Sequence, residues 1–246
     1  MKQHEKWLTS GLMLLLLNTA MEGKSVAGIV TSVQAAGVQS TPLSGAVTEM
    51  FNSKSAGDYS TLSTAVGTLS SAGSFAIVKA DQYGGAGGTG EYLALGAESG
   101  STSPVTLTFN GPEAAFGMWW SAADSNNTVS IYSGSTLLET FTASSLFGSL
   151  SNSYNGNPTS QFLGQDSDEK FAYIDFSANG GPAFTSVVFG NSNTTATGFE
   201  IDNLSVATVP EPGSLALAAT GLGFLVGLAW LEFKRAQLRR RVCHKS

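Results

Sequence analysis

In the pentapeptide Val105-Thr106-Leu107-Thr108-Phe109 the apolar side chains fall on every second residue and threonines fill the gaps. A period of two belongs to a strand with one face buried and the other in water. Working outward, short alternating or apolar runs recur at 47–52, 74–80, 91–96, 115–121, 128–132, 136–142, 171–177, 184–189 and 198–206, separated by Gly, Asn, Ser and Pro. Ser133-Gly134 reads as a hairpin turn, and helical periodicity is scarce between 30 and 207. Short strands at regular spacing predict an all-β domain, a jelly-roll-like two-sheet β-sandwich. The stretches 30–44 and 144–164 carry little pattern and are expected as loops, the first as an N-terminal arm of the mature chain.

The charge is segregated. Between Gly28 and Val209 the bases are Lys54, Lys79 and Lys170 against fourteen Asp and Glu, so nothing in this middle could neutralise phosphates and nucleic acid is excluded as its partner. The same region holds no His and no Cys: His4, Cys243 and His244 are all terminal. Triads, Cys-His pairs and metal sites built on imidazole or thiolate are thereby excluded from the middle. Carboxylate, hydroxyl, amide and aromatic chemistry remains.

Both ends read as targeting segments. Lys2 and Lys6 precede the apolar run 11–17, and small residues follow it, so 1–27 is expected to be a signal peptide. Asn18-Thr19-Ala20 and Ser25-Val26-Ala27 both fit a cleavage site; the second is favoured. At the other end, Gly213 to Leu231 is nineteen residues without a charge, which a helix would stretch to about 28 Å, enough to span a bilayer core. After Phe233 come Lys234, Arg235, Arg239, Arg240, Arg241 and Lys245 with no acid among them. Such a block stays in the cytoplasm, which leaves the domain outside. The expected organisation is signal peptide 1–27, arm 28–45, β-sandwich ectodomain 46–207 and a C-terminal segment 208–246 with one transmembrane helix at 213–231.

Val209-Pro210-Glu211-Pro212-Gly213-Ser214, then a single apolar span, then an arginine-rich end resembles the PEP-CTERM sorting signal of exopolysaccharide-producing Gram-negative bacteria. The resemblance implies recognition and cleavage near the Pro-Glu-Pro by an integral-membrane exosortase, with Val209, Pro210, Glu211 and Pro212 as the sorting signal. The residues agree: prolines on both sides of Glu211 hold the segment extended and deny the helix a start before Gly213. A second, looser resemblance covers most of the domain. Phe116-Gly117-Met118-Trp119-Trp120-Ser121, Tyr154-Asn155-Gly156-Asn157-Pro158 and Gly198-Phe199-Glu200-Ile201-Asp202-Asn203-Leu204 are similar to a group of PEP-CTERM surface proteins without assigned enzymatic activity. The last of these strands is also similar to the final strand of many jelly-roll carbohydrate-binding modules.

Three motifs offer chemistry. Gly85-Ala86-Gly87-Gly88-Thr89-Gly90 fits G-x-G-x-x-G, but Glu91-Tyr92-Leu93-Ala94-Leu95 after it reads as a strand where a dinucleotide site needs a helix, so a flexible surface loop is expected. Calcium is the metal that the inventory allows. Glu49, Asp202 and Asn203, on the first and last expected strands, are candidates for a structural Ca²⁺, with solvated carboxylates as the simpler reading; no other cofactor is expected. Asp166-Ser167-Asp168-Glu169 concentrates three carboxylates and is expected as a hydrated loop. Trp119 and Trp120 are adjacent on a strand, so their rings point to opposite faces and one becomes a surface candidate. With Asp124, Tyr154 and Asn157 it would make a glycan-binding face; packing under a long loop explains the same rings. Glu139, Glu200 and Asp202 could in principle supply the paired carboxylates of a glycosidase, but no spacing demands it, and no catalytic residue is assigned.

The sequence therefore predicts an exported, non-enzymatic cell-surface or exopolysaccharide-matrix protein. Its expected partners are an exosortase, the membrane before processing, and exopolysaccharide. The alternative is a lectin-like carbohydrate-binding module at the cell surface.

Overall fold

A computed structural model describes residues 28–208 except 98, 102, 103, 194 and 195. The signal peptide expected at 1–27, the helix expected at 213–231 and the expected sorting residues Val209, Pro210, Glu211 and Pro212 lie outside the described residues. Among the described residues no helix is long and apolar enough to cross a membrane.

The described residues are nearly all β. Their strands are β1 (Val30–Val33), β2 (Val47–Glu49), β3 (Gly57–Ser63), β4 (Gly67–Lys79), β5 (Glu91–Gly96), β6 (Val105–Glu113), β7 (Ala115–Ser121), β8 (Asn127–Ser133), β9 (Thr136–Thr142), β10 (Ala172–Ser177), β11 (Phe184–Asn191) and β12 (Gly198–Ala207). One short helix, α1 (Ala143–Phe147), is capped by Thr142, whose side chain accepts from the Ser145 N–H. Every pairing is antiparallel, and the path β1-β10-β7-β12-β5-β4-β6-β11-β8-β9 is continuous, with β2 on β12 and β3 on β4.

The expected two sheets are thus one curled sheet with two facing halves, and β4 is the reason. Its first part pairs with β6 through Gly67↔Phe109 to Ser71↔Val105, and its last part pairs with β5 through Ala76↔Ala94 to Lys79↔Glu91. A strand of thirteen residues can serve both neighbours on one edge, so the sheet turns a corner without breaking. From β5 onward the chain crosses repeatedly between the halves. Their inner faces meet in one core, where Phe116 of β7 lies 5.7 Å from Phe109, 5.9 Å from Phe176 and 6.2 Å from Phe189.

The opening pentapeptide behaves as its period requires: Val105, Leu107 and Phe109 are buried and Thr108 is exposed. Two differences from expectation stand out. Residues 30–33, expected within an arm or loop, form edge strand β1 in register with Ser177 to Ile174 of β10. Residues 57–63 and 67–73 are strand where no run was expected, because backbone pairing, with little apolar alternation, holds them.

Candidate functional site

The outer face of β10, β7 and β12 is a buried layer of polar and aromatic groups. Alternation brings Gly117, Trp119, Tyr173, Asp175 and Asp202 to this face, opposite the core residues Phe116, Met118, Trp120, Ile174 and Ile201. Gly117 leaves the room: a Cβ there would lie 2.7 Å from both Asp175 Oδ1 and Tyr173 Oη. Two coverings seal the face. Residues 34–41 donate Gln34 Nε2 and Thr41 Oγ1 to the Asp175 carboxylate, each at 2.7 Å. The glycine loop donates the Ala86 N–H to Asp202 Oδ2 at 2.8 Å, and Gly87 N–H to Gln39 Oε1 at 2.8 Å joins the two coverings.

That loop, expected as a flexible surface loop, does link two strands and is pinned to the sheet. Its central residues make one turn of 3-10 helix before β5 begins, so no long helix follows the glycines. Gly90 shows why glycine is needed: φ is +86°, and a Cβ would meet Asn52 Oδ1 at 1.8 Å.

Neither tryptophan reaches the surface, so the surface candidacy of one of them gives way to the alternative of packing. The indoles do point to opposite faces, as adjacent strand residues must. Trp120 enters the main core, 4.7 Å from Phe199 and 5.2 Å from Phe147. Trp119 enters a second cluster with Ala122, Phe171 and Tyr173, against which Ala86 of the glycine loop packs. The rest of the expected glycan face is dispersed. Tyr154 donates its hydroxyl to the Gln34 carbonyl at 2.9 Å. Asn157 is buried, donates to the Asp81 and Gln82 carbonyls, and accepts from Thr159. Asp124 lines an open cavity.

Glu49 and the pair Asp202–Asn203 fall on the neighbouring strands β2 and β12, joined through Glu49↔Leu204, close enough for the Glu49 charge to act on Asp202. Protein donors occupy both carboxylates. Glu49 accepts from the Phe51 and Ala65 N–H groups, each at 2.8 Å, and lies 3.6 Å from Lys54 Nζ. Asp202 Oδ1 accepts from the Asn203 N–H at 2.7 Å, and Asn203 Nδ2 donates to the Gln39 carbonyl at 2.6 Å. Among the described residues no group of three or more His, Cys, Asp or Glu is arranged to hold a metal ion. Burial raises the Asp202 carboxyl to about 8; the Glu49 charge adds to this, and the two N–H donors oppose it.

A second acidic group sits at the end of the sheet where β7 ends and β10 begins. Asp124 and Glu169 line a cavity of about 190 Å³ together with Tyr83 and Glu200. Asp166 is hydrogen-bonded to Glu169; burial first, then that bond and the neighbouring charges, raise Glu169 to about 8. Asp166 and Asp124 are raised as well, chiefly by burial. Residues 166–169 are therefore partly enclosed and share charge with Asp124. Nothing in the linear sequence brings Asp124 to them; β7 and β10 do.

These upward shifts fix a pH dependence. A folded state that holds protons at pH values where the unfolded chain has released them is stabilised below the ordinary carboxylate range and loses that contribution as pH rises toward 8. The melting temperature is expected to fall steadily between about pH 5 and about pH 8, and Asp202→Asn is expected to flatten the slope. Thermal unfolding at several pH values checks this; a melting temperature that rises over that range contradicts it.

The end of β12 completes the picture. Ala207 is the last strand residue; its carbonyl accepts from the Ala114 N–H at 2.9 Å, and the Ala114 carbonyl accepts from the Ala178 N–H at 2.8 Å. No curated protein matches the chain. A family model described as the PEP-CTERM protein-sorting motif matches residues 208–235, starting one residue beyond Ala207. Directly behind its last β-strand the chain thus carries a PEP-CTERM protein-sorting signal.

Proposed function

We propose that the chain is an exported, non-enzymatic cell-surface or exopolysaccharide-matrix protein, delivered through its C-terminal signal. The observation that carries this reading is the sorting motif at 208–235, which follows the final strand without a linker. A signal peptide at 1–27 starts export, a helix at 213–231 holds the precursor in the inner membrane, and the arginine-rich end stays in the cytoplasm. An exosortase-type enzyme then reads Pro210-Glu211-Pro212 and cleaves near it. The cargo left outside is an acidic β-domain. Glu49, Asp175 and Asp202 hold coverings and turns in place, a use of carboxylates that supports a structural rather than a catalytic role. The lectin-like alternative draws little support, since Trp119 and Trp120 offer no ring to a sugar.

Intact mass of the mature protein from its native host tests the reading. The expected mass lacks the apolar span from Gly213 onward; a mature surface form that retains the span would leave an ordinary membrane anchor in place of a sorting signal.

A further inference from the structure

The two ends of the described chain leave the domain at one end of the sheet. Val30 pairs with Ser177, Ser177 with Ala115, and Ala115 with Ala207, so the start of β1 and the end of β12 share that base. Register places the turns 44–46, 113–114, 134–135 and 178–183 there too. These turns contain one ionisable residue, Glu113, and it is buried. The acidic group Asp124, Asp166, Asp168 and Glu169 lies at the opposite end. Beside them the exposed Glu139 of β9 lines a cavity with Gly28, Ala178, Gly181 and Pro182, so the turns themselves, and not the whole base, are free of exposed charge.

Only Thr208 and Val209 separate Ala207 from Pro210. Whatever its conformation, the chain reaches no more than about 11 Å over the three steps to Pro210, about the width of one helix with its side chains. Fraying of β12 does not lengthen the reach readily. Val206 is buried and paired with both Val47 and Phe116, and Ala207 is held by Ala114.

Resting on the sorting reading above, we infer that the base of the β-domain is a docking surface for the enzyme that processes the Pro-Glu-Pro segment. An active-site cleft that closes on residues 210–212 has no room to stand clear of the domain. Its rim seats against the base turns, whose own lack of exposed charge lowers the desolvation cost of that close approach. The domain is part of the substrate that the enzyme recognises, as well as its cargo.

The test uses the full precursor in a host that processes it and reads the rate of conversion to the mature form. Ser44 and Pro182 are exposed base residues, and Ser167 is exposed at the opposite end. The double substitutions Ser44→Glu/Pro182→Glu and Ser44→Arg/Pro182→Arg are both expected to slow processing about tenfold. Ser167→Glu and Ser167→Arg are expected to leave it unchanged. A flexible Gly/Ser spacer of about ten residues after Ala207, about 17 Å in r.m.s. length, is expected to restore the rate of both base variants. Base variants processed at the native rate overturn the docking surface and leave the sorting reading intact. Slowing by Glu with acceleration by Arg overturns it in favour of an anionic lipid surface. Slowing that persists with the spacer overturns it too, because damage to the fold then explains the loss. A native chain that is never cleaved removes the sorting reading itself.

Discussion

A chain carrying alanine at both Pro210 and Pro212 is expected to accumulate as unprocessed precursor, with conversion slowed at least roughly a hundredfold, equivalent to about 2.7 kcal/mol in the barrier. Each proline fixes its own φ and lacks an N–H, and Pro212 also keeps Glu211 out of the helical region. Alanine is the strongest helix former, so the substituted segment could continue the helix expected at 213–231 back towards Ala207. A helical segment hides its backbone groups from a cleft that binds an extended strand. The β-domain itself should be untouched, because both positions lie beyond β12. Gel or mass analysis of the precursor-to-mature ratio reads the first effect, and thermal unfolding of the domain checks the second. Native-rate processing of the double variant would deny the prolines any part in recognition.

Phe116→Ala is expected to have the largest effect on stability, about 3–5 kcal/mol. The ring is fully buried and reaches both halves of the curled sheet, meeting Phe176 on its own half and Phe109 and Phe189 on the other. Removing it opens a cavity at the point where the halves face each other, where neither strand can move in without losing register on β10 or β12. Against a total stability of about 5–15 kcal/mol, the loss should lower the melting temperature by roughly 6–20 °C. Leu163, 71% exposed, supplies the contrast: Leu163→Ala should change stability by no more than about 0.5 kcal/mol. Thermal unfolding of the two variants side by side decides the matter, and a similar small shift in both would remove Phe116 from the centre of the core.

What the sequence discloses depends on how local the information is. Strands β5, β7 and β9 are read at their full bounds, because alternation or a continuous apolar run is written into consecutive residues. Strand β3 is not read. Gly57-Asp58-Tyr59-Ser60-Thr61-Leu62-Ser63 is largely exposed and becomes a strand by pairing with β4, whose first part is itself rich in Ser and Gly. Trp119 shows the limit from the other side. Its direction follows from its neighbour, but its burial depends on Ala86 and the glycine loop, far away in the chain. The carboxylates 166–169 are visible as a cluster, but their meeting with Asp124 is not, for the same reason, whereas the sorting motif at 208–235 is legible because it is read as a linear string.

The position of β12 also sets an order of events. This strand is the last to be made, yet β2, β5 and β7 all pair with it, and β1 waits for the late strand β10. In a chain made from its N-terminus, β3 and β4 can pair early with each other and with β5 and β6, whereas β2 and one edge each of β5 and β7 wait for β12. The sheet is therefore complete only once residue 207 has been made. The next residue out begins the sorting motif, so completion of the fold and arrival of the signal coincide, and a chain stalled or truncated inside the domain presents neither.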